Sequence, residues 1–350
     1  MILSNILINW YNQNKRDLPW REINDPYIIW VSEIILQQTR VNQGINYYYR
    51  FIEQYPDIKS LANAPIDDVL KLWQGLGYYS RARNMHHTAK TIIHEYNGKF
   101  PNHYSEIIKL KGIGEYTAAA IASFCFNESV PVIDGNVYRF LSRFFGIKEL
   151  TATASGKQIF KNLAEEIIDP TMPGIHNQAI MEFGALICTP QNPNCMQCPL
   201  NKQCIALNND LVDELPLKKK KIKITKRYFH YIHIIYKENV FIEQRIKNDI
   251  WQLLYQMPLI ETKNKISTEE VIKHPLWTKL FENTNAKIIH ISNNIKHQLS
   301  HQQINAHFYK VQIDKINPFL KSDFIMVTNS EISKYGIPRL IDKYLNNPFH

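Results

Sequence analysis

The composition of the 350-residue chain excludes a membrane-spanning protein and is compatible with a nucleic-acid partner. Hydrophobic residues make up 45% of the sequence, which is enough to build the cores of two domains of ordinary size. Lysine and arginine outnumber aspartate and glutamate by 41 to 32, and the net charge of +9 suits a polyanion without requiring one. No apolar run approaches the roughly 18 residues of a membrane helix, and the first residues do not resemble a secretion signal. We therefore expect a cytoplasmic protein.

The first half of the chain has the apolar periodicity of helices. From Pro26 to Phe145, apolar residues recur at helical spacing between short turns. The pattern predicts helices over residues 27–38, 66–74, 105–109 and 116–126, followed by a further helical stretch over 156–186. This half is expected to be almost entirely α-helical.

A basic run at 215–221 ends the helical pattern, and strand-like runs follow it. Strands are predicted over 231–236, 287–291 and 306–313, with helices over 267–273 and 337–344. We expect a second domain of α/β or α+β type over 228–350, joined by a basic linker over 208–227. The linker lysines would either contact DNA phosphates or form a solvated connector.

Four of the five cysteines lie close together in the sequence. Cys188, Cys195, Cys198 and Cys204 have the spacing C-x6-C-x2-C-x5-C. Four thiolates hold either a zinc ion or a [4Fe–4S] cluster, but structural zinc usually pairs its ligands on separate turns. Because one compact loop supplies all four, the spacing favours the cluster. The fifth cysteine, Cys125, is expected to be a buried core thiol.

A glycine pair and two carboxylates are candidates for DNA binding and chemistry. In Leu110-Lys111-Gly112-Ile113-Gly114, the glycines let backbone amides meet a phosphate at a helix start, although a plain turn between helices has the same pattern. Asp134 precedes a predicted helix, where a capping residue is the ordinary interpretation. Glu33 lies among apolar residues, which would raise its pKa if it faces inward, although a surface glutamate is more common.

Taken together, these motifs resemble the adenine DNA glycosylase family of the helix–hairpin–helix, or endonuclease III, superfamily. The resemblance rests on the cysteine loop and on the stretches V-S-E-I-I-L-Q-Q-T, L-K-G-I-G-E-Y-T-A-A-A and V-I-D-G-N-V. It implies an all-α helix–hairpin–helix glycosylase domain over 1–207, with a six-helix core at about 25–130. Residues 1–24 and 131–207 would form the part that carries the [4Fe–4S] cluster. The C-terminal domain resembles the Nudix-like domain of the family through I-W-Q-L-L-Y-Q-M-P, but it has no Nudix metal box, so it should bind rather than catalyse.

The resemblance also implies roles for the two carboxylates. Glu33 would protonate the adenine and Asp134 would stabilise the cationic sugar or bond to it transiently, with support from Tyr116 and Asn136. Members of the superfamily that cleave the strand have a lysine at the position of Tyr116. We therefore expect a monofunctional glycosylase.

Further residues are assigned to substrate and DNA binding by the same resemblance. Arg21 and Glu182 would line the adenine pocket, and Ser300 and His301 of a Leu-Ser-His loop would read 8-oxoguanine. The residues expected to enter or contact the duplex are Gln38, Thr39, Leu76, Tyr78, Gly112 and Gly114.

The sequence thus predicts a base-excision-repair enzyme that removes adenine mispaired with 8-oxoguanine or guanine from double-stranded DNA. We expect it to act as a monomer in the cytoplasm, at the nucleoid if the source is bacterial. Three alternatives are considered. They are a non-catalytic iron–sulfur protein that senses DNA damage, an endonuclease III-like glycosylase-lyase for oxidised pyrimidines, and a Nudix hydrolase with an accessory helical domain. The two carboxylates oppose the first, Tyr116 the second, and the missing metal box the third.

Overall fold

The computed structural model describes residues 2–37, 39–217 and 224–346. The chain forms two compact units. One contains Met1–Asn63 and Asn84–Lys220, and the other contains Ala64–Arg83 and Lys221–His350. The contiguous division predicted from the sequence does not anticipate that residues 64–83 group with the C-terminal part. The linker lysines at 218–221 lie outside the described residues.

The described residues before the linker form helices and no strands. The α-helices are α1 Ile2–Asn14, α2 Pro26–Leu36, α3 Val41–Gln54, α4 Ile58–Asn63, α5 Ile66–Leu72, α6 Ser80–Glu95, α7 Tyr104–Ile107, α8 Glu115–Phe126, α9 Gly135–Phe144, α10 Ala154–Ile167, α11 Pro173–Leu186 and α12 Ile205–Asn208. The helices predicted over 27–38, 66–74, 105–109 and 116–126 are confirmed. No helix of the described residues is long and apolar enough to cross a membrane.

The helical stretch predicted over 156–186 is confirmed, and it consists of two helices, α10 and α11. Pro170 interrupts the pattern, since it lacks a backbone N–H and restricts the residue before it. The Asp169 carboxylate accepts hydrogen bonds from the backbone amides of Thr171 (2.9 Å) and Met172 (3.2 Å), which stabilises the turn. Pro173 then occupies the first turn of α11, where proline is favourable.

Helix α1 was not predicted, although its buried side chains have helical spacing. Ser4, Leu7, Ile8 and Tyr11 are the buried residues of this helix. Leu7, Ile8 and Tyr11 belong to a hydrophobic core that also contains residues of α9, α10 and α11 and Leu200 of the cysteine loop. The N-terminal helix is therefore part of the core against which Cys188, Cys198 and Cys204 pack.

The second unit is built on a mixed sheet. Its strands are β1 Thr225–Tyr236, β2 Asn239–Gln244, β3 Tyr255–Gln256, β4 Leu259–Thr262, β5 Ala286–Ile291, β6 Ile295–Gln298, β7 Gln302–Ile313 and β8 Ile325–Thr328. The main strand order is β3-β2-β1-β7-β5, with β4 on β1, β6 on β7 and β8 on β2. Strands β1 and β7 pair in parallel, from Thr225 opposite Gln302 to Ile235 opposite Gln312.

Helices accompany this sheet, as the sequence predicts. They are α13 Thr268–Ile272, α14 Pro275–Leu280, α15 Pro318–Asp323 and α16 Arg339–Asn346. The strands predicted over 231–236, 287–291 and 306–313 and the helices predicted over 267–273 and 337–344 are confirmed. Of the strands that were not predicted, β3, β4, β6 and β8 have four residues or fewer, which is too short for an alternating pattern to stand out, whereas β2 is as long as β5 and was missed.

Candidate active site

A cavity of about 510 Å³ in the first unit, here called the catalytic cavity, collects residues that lie far apart in the sequence. The predicted residues among its lining are Arg21, Glu33, Thr39, Tyr116, Asp134, Asn136 and Glu182. The sequence did not single out Arg16 or Gln178, which also line it. The predicted residue Gln38 lies outside the described residues.

Glu33 reaches the catalytic cavity from the middle of α2. Asp25 starts this helix by accepting hydrogen bonds from the amides of Tyr27 and Ile28, and Pro26 occupies its first turn. Only 6% of Glu33 is exposed, so the surface position considered from the sequence is wrong. The Tyr116 hydroxyl donates a hydrogen bond to Glu33 Oε2.

The environment of Glu33 favours its protonated form. Burial raises the pKa of Glu33 to about 7, against the hydrogen bond from Tyr116 and the positive charge of Arg21, which both lower it. The negative charge of Asp134 adds to the increase. The pKa of Tyr116 is raised well above its usual value, chiefly by burial and then by the charge of Glu33, so its hydroxyl stays a donor. Glu33 can therefore hold a proton near neutral pH.

Asp134 is both the N-cap of α9 and a wall of the catalytic cavity. Its Oδ1 accepts a hydrogen bond from the Val137 amide and its Oδ2 one from Asn136 Nδ2, each at 2.7 Å. Burial raises the pKa of Asp134, and these hydrogen bonds oppose the increase because they favour the carboxylate. The capping interpretation from the sequence is therefore correct. The same carboxylate also lines the catalytic cavity, so capping the helix and facing the cavity are compatible.

An ion-pair network around the buried Glu182 forms another wall of the catalytic cavity. Glu182 accepts two hydrogen bonds from the Arg16 side chain, at 2.7 and 2.8 Å, and one from Arg21 at 3.0 Å. Burial raises the pKa of Glu182, but the hydrogen bonds from Arg16 and the charge of Arg21 outweigh it, so the net pKa is lowered. Arg21 Nε is buried and has no hydrogen-bond partner among the described residues. The network is thus ionised and leaves a donor for a ligand.

Arg21 is held in place by α1 and α11. Its Nη1 donates to the Tyr11 hydroxyl at 2.8 Å and to Gln178 Oε1 at 2.5 Å, and its guanidinium lies 5.3 Å from the Tyr11 ring centroid. The Tyr11 hydroxyl in turn donates to Gln178 Oε1 at 2.8 Å. No local signal could identify this contact, because Tyr11 and Gln178 are 167 positions apart in the chain.

The predicted hairpin lies between α7 and α8, and its two glycines differ in backbone conformation and surroundings. Gly112 has φ +80°, and a Cβ there would come within 2.5 Å of the Asn84 side chain, so both backbone and space demand glycine. Gly114 is the extended N-cap of α8 and has open space where a Cβ would lie. The α8 N-terminus is therefore accessible to an anion.

The four cysteines of the predicted loop line one cavity in the first unit, next to Arg143. None forms a disulfide, and burial raises the pKa values of Cys188, Cys195 and Cys198, each of which also feels the charges of neighbouring thiols. The described residues contain no cluster of three or more such donors placed to hold a single metal ion. Four thiols around one largely apolar cavity are the donor set that a [4Fe–4S] cluster requires.

Two arginines connect the cysteine loop to α9. Arg143 donates to the carbonyl of Thr189 at 2.7 Å and lies 3.5 Å from Cys188 Sγ. Arg139 donates to the Cys188 carbonyl at 2.6 Å and to Asn136 Oδ1 at 2.8 Å. Since Asn136 also donates to Asp134, a continuous chain of hydrogen bonds joins the loop to the catalytic cavity.

The second unit contains its own cavity of about 460 Å³, here called the reading cavity. Its lining includes the predicted residues Leu76, Tyr78, Ser300 and His301. Ser300 and His301 lie in the turn between β6 and β7, and the Thr225 amide donates to the His301 carbonyl at 3.0 Å. The hydroxyls of Tyr78 and Ser300 are hydrogen-bonded to each other.

Family comparisons agree with this arrangement. Residues 31–170 match the HhH-GPD superfamily of base excision DNA repair proteins. Residues 188–204 match the iron–sulfur binding domain of endonuclease III, and residues 230–347 match the NUDIX domain. Adenine DNA glycosylase of Buchnera aphidicola subsp. Baizongia pistaciae is 40% identical over 325 residues, which cover 91% of this chain and 88% of the relative. The chain belongs to the adenine DNA glycosylase family.

Other members of the adenine DNA glycosylase family match to different extents. The protein of Buchnera aphidicola subsp. Acyrthosiphon pisum is 36% identical over 349 residues, which cover 99% of this chain and 97% of the relative. The human protein is 43% identical over 209 residues, which cover 57% of this chain and 38% of the relative.

Solved structures support the fold of the helical part. A thermostable thymine-DNA glycosylase matches with a TM-score of 0.54 and 27% identity, over 59% of this chain and 96% of that chain. Endonuclease III in a non-covalent DNA complex matches with a TM-score of 0.52 and 21% identity, over 60% of this chain and 95% of that chain. At this identity the match supports the fold alone.

Membership confirms several predictions made from the sequence. The family, the helical domain followed by a sheet-containing Nudix-like domain, and the [4Fe–4S] cofactor are as predicted. The chain is a DNA glycosylase of base excision repair, monofunctional as Tyr116 indicated.

Proposed function

We propose that the chain hydrolyses the N-glycosidic bond of adenine mispaired with 8-oxoguanine or guanine in double-stranded DNA. The observation that carries the proposal is the convergence of a buried, protonatable Glu33 and the carboxylate of Asp134 on one cavity. Cleavage of this bond needs an acid for the leaving base and an anion beside the cationic sugar. The two carboxylates supply one of each.

Glu33 acts as the general acid. With a pKa of about 7, its carboxyl group is substantially protonated at neutral pH and donates the proton to adenine N7 as the bond from the sugar to N9 breaks. The Glu33 carboxylate then takes a proton from the water that attacks the sugar carbon, which regenerates the acid. Tyr116 holds the carboxyl group in place throughout by donating to Oε2.

Asp134 stabilises the sugar cation, either as an anion beside it or through a transient covalent bond. The hydrogen bonds donated by Val137 and Asn136 favour its carboxylate form against the effect of burial and fix its direction. Arg139 orients Asn136 by a hydrogen bond of 2.8 Å, so the geometry of Asp134 depends on the cysteine loop. Cys188, Cys195, Cys198 and Cys204 would hold the cluster, which when bound crosslinks that loop.

The ion-pair wall of the catalytic cavity would bind the adenine. A base taken out of the duplex needs polar groups for its edge and a cavity that excludes water. Arg21, whose Nε lacks a partner among the described residues, and the Arg16–Glu182 pair provide such groups. Thr39 lines the same cavity.

DNA would be held by the hairpin and the mispair read in the second unit. The open α8 N-terminus at Gly114 suits a phosphate, and Gly112 shapes the turn that leads to it. Leu76 and Tyr78 would enter the duplex, and Ser300 and His301 would hydrogen-bond the 8-oxoguanine partner from the reading cavity. We place this activity in a monomer in the cytoplasm, or at the nucleoid of a bacterium.

The decisive experiment is a base-release assay with purified holoenzyme. Duplexes carry A opposite 8-oxoguanine, A opposite G, or thymine glycol, and strands are analysed with and without alkali. We expect adenine release from the first two, strand breaks only after alkali, and no action on thymine glycol. No release from A opposite 8-oxoguanine would refute the proposal, and strand breaks without alkali would indicate a lyase. Analytical ultracentrifugation of the enzyme, with and without duplex, measures its oligomeric state, and we expect one protein chain per particle in both cases.

A further inference from the structure

We propose that Asp67 of α5 is a positioning residue that determines how strongly the enzyme prefers 8-oxoguanine over guanine opposite adenine. The inference rests on the proposed function, because it concerns how the reading cavity is assembled. Asp67 was not singled out by its sequence, and it does not line that cavity.

The reading cavity is formed by several stretches of chain that are distant in the sequence, including residues 249–251 and Arg339. One wall is the segment Gly75–Ser80, and the opposite wall is the β6–β7 turn that carries Ser300 and His301. The walls meet in the hydrogen bond between the hydroxyls of Tyr78 and Ser300. The position of Gly75–Ser80 therefore decides whether both walls can face one base.

The segment that carries Tyr78 is a turn closed by local hydrogen bonds, since the Gly77 carbonyl accepts from Trp73 Nε1 and from Arg81 Nη2, each at 3.2 Å. Gly75 and Gly77 have φ values of +99° and +75°, and Tyr78 has φ +47°, a left-handed conformation that is unfavourable for tyrosine. Residues 73–79 lie between the ends of α5 and α6. Contacts of the flanking residues place this turn relative to the sheet of the second unit.

Asp67 is a flanking residue whose carboxylate accepts two hydrogen bonds from side chains of the sheet. Its Oδ1 accepts a hydrogen bond of 3.1 Å from Gln244 of β2, and its Oδ2 accepts one of 2.8 Å from the Tyr255 hydroxyl of β3. Hydrogen bonds to a carboxylate are stronger than those between neutral groups. Asp67 thereby fixes the start of α5 on the edge of the sheet.

The rest of α5 and the residues after it are held on the same side by single hydrogen bonds to backbone groups. Lys71 Nζ donates to the Tyr335 carbonyl at 3.2 Å, and the Ile337 amide donates to Gln74 Oε1 at 3.3 Å. Beyond the segment, Arg83 Nη1 donates to the Gln252 carbonyl at 2.9 Å. These partners are backbone groups, so Asp67 supplies the side-chain pairing that sets the register of α5 on the sheet.

The test compares Asp67→Ala with Asp68→Ala in the holoenzyme. Asp68 follows on the same helix, is exposed, and shows no side-chain hydrogen bond or ion pair within the described residues. Single-turnover rates of adenine release are measured opposite 8-oxoguanine and opposite guanine. We expect Asp67→Ala to lower the ratio of the two rates about three- to tenfold, in line with the loss of hydrogen bonds of ordinary strength. Asp68→Ala should leave the ratio unchanged.

Repeating the Asp67→Ala substitution in a Tyr78→Phe enzyme separates a positioning role from a general loss of stability. Tyr78→Phe removes the hydroxyl that meets Ser300 but keeps the ring. If Asp67 acts through that contact, Asp67→Ala should change the ratio little further in the Tyr78→Phe enzyme. A full additional decrease there would overturn the inference. If Asp67→Ala does not fold, Tyr255→Phe and Gln244→Ala replace it, with a smaller decrease expected for each.

Failure of the inference is distinguishable from failure of the proposed function. A wild-type enzyme that shows no preference for 8-oxoguanine, or no adenine release, contradicts the proposed function. A wild-type preference that survives unchanged in folded Asp67→Ala, or an equal loss in both rates, contradicts the role of Asp67 alone.

Discussion

The catalytic cavity and the reading cavity are built in opposite ways. In the catalytic cavity the two glutamates are buried and hydrogen-bonded, Glu182 to Arg16 and Glu33 to Tyr116. In the reading cavity they are accessible, with Tyr78 44% exposed and Ser300 and His301 both exposed. Acid catalysis needs a carboxyl group kept from water, whereas reading a base needs donors that are free to meet it.

The contrast predicts how each cavity responds to substitution. Changes among buried charges should abolish the reaction and alter its pH dependence, because burial sets the pKa values there. Changes in the reading cavity should alter the choice of substrate and spare the chemistry. The following predictions test this division, from the largest expected effect to the smallest.

The largest effect is expected from the two carboxylates. Glu33→Gln keeps an oxygen for Tyr116 but has no proton to transfer, and Asp134→Asn keeps an acceptor for Val137 but has no charge. Each should lower the single-turnover rate of adenine release about 10²- to 10⁴-fold. Glu53→Gln, at an exposed glutamate of α3, is the control and should have no effect. A rate within threefold of wild type in either carboxylate variant would show that the acids are misassigned.

The same Glu33→Gln variant should be more stable than wild type at high pH. The pKa of Glu33 rises from its ordinary value of 4.5 to about 7 on folding, so between these values the folded state binds more protons than the unfolded state. The free energy of unfolding of wild type therefore falls as pH increases through this window. The free energy of unfolding of the variant minus that of wild type should therefore increase by up to about 3 kcal/mol between pH 4 and pH 8. Denaturant unfolding of both proteins measures this difference. Parallel pH dependence in both proteins would mean that Glu33 is not desolvated.

The hairpin glycines should differ in a measurable way. Gly112→Ala places a side chain at φ +80° and against Asn84, which should lower stability by about 1–2 kcal/mol. Gly114→Ala meets no neighbour within 4 Å, so it should lower stability by less than about 1 kcal/mol, the preference for glycine over alanine at an N-cap. It should weaken duplex binding, because the added methyl group hinders the phosphate. If Gly114→Ala binds mispaired and matched duplexes as tightly as wild type does, the α8 N-terminus is not the phosphate site.

The smallest effect is expected in the reading cavity. Replacing Ser300 and His301 by alanine should lower the preference for A opposite 8-oxoguanine over A opposite G about five- to tenfold, since hydrogen bonds to the damaged base are lost. The rate on A opposite G, which serves as the internal control, should stay close to wild type. An unchanged preference would place recognition elsewhere.

The sequence predicted those features that depend on neighbouring residues. The cysteine spacing, the glycine hairpin and the helical context of Glu33 are local patterns, and the structure places the four cysteines around one cavity and Glu33 within another. The capping role of Asp134 also follows from its position before α9.

The features that escaped prediction depend on contacts across the chain. Arg16 pairs with Glu182 over 166 positions, and Asp67 meets Tyr255 over 188 positions. No local periodicity encodes such pairs. The same limit explains why residues 64–83 were not expected to group with the C-terminal unit.

The pH dependence of single-turnover adenine release by wild-type enzyme tests the central claim most directly. If Glu33 is the general acid with a pKa of about 7, the rate on A opposite 8-oxoguanine should be constant at acidic pH and fall about tenfold per pH unit above the pKa. Binding must be saturated at every pH, so that only the chemical step is seen. A rate that is unchanged or increases between pH 6 and pH 9 would contradict the account.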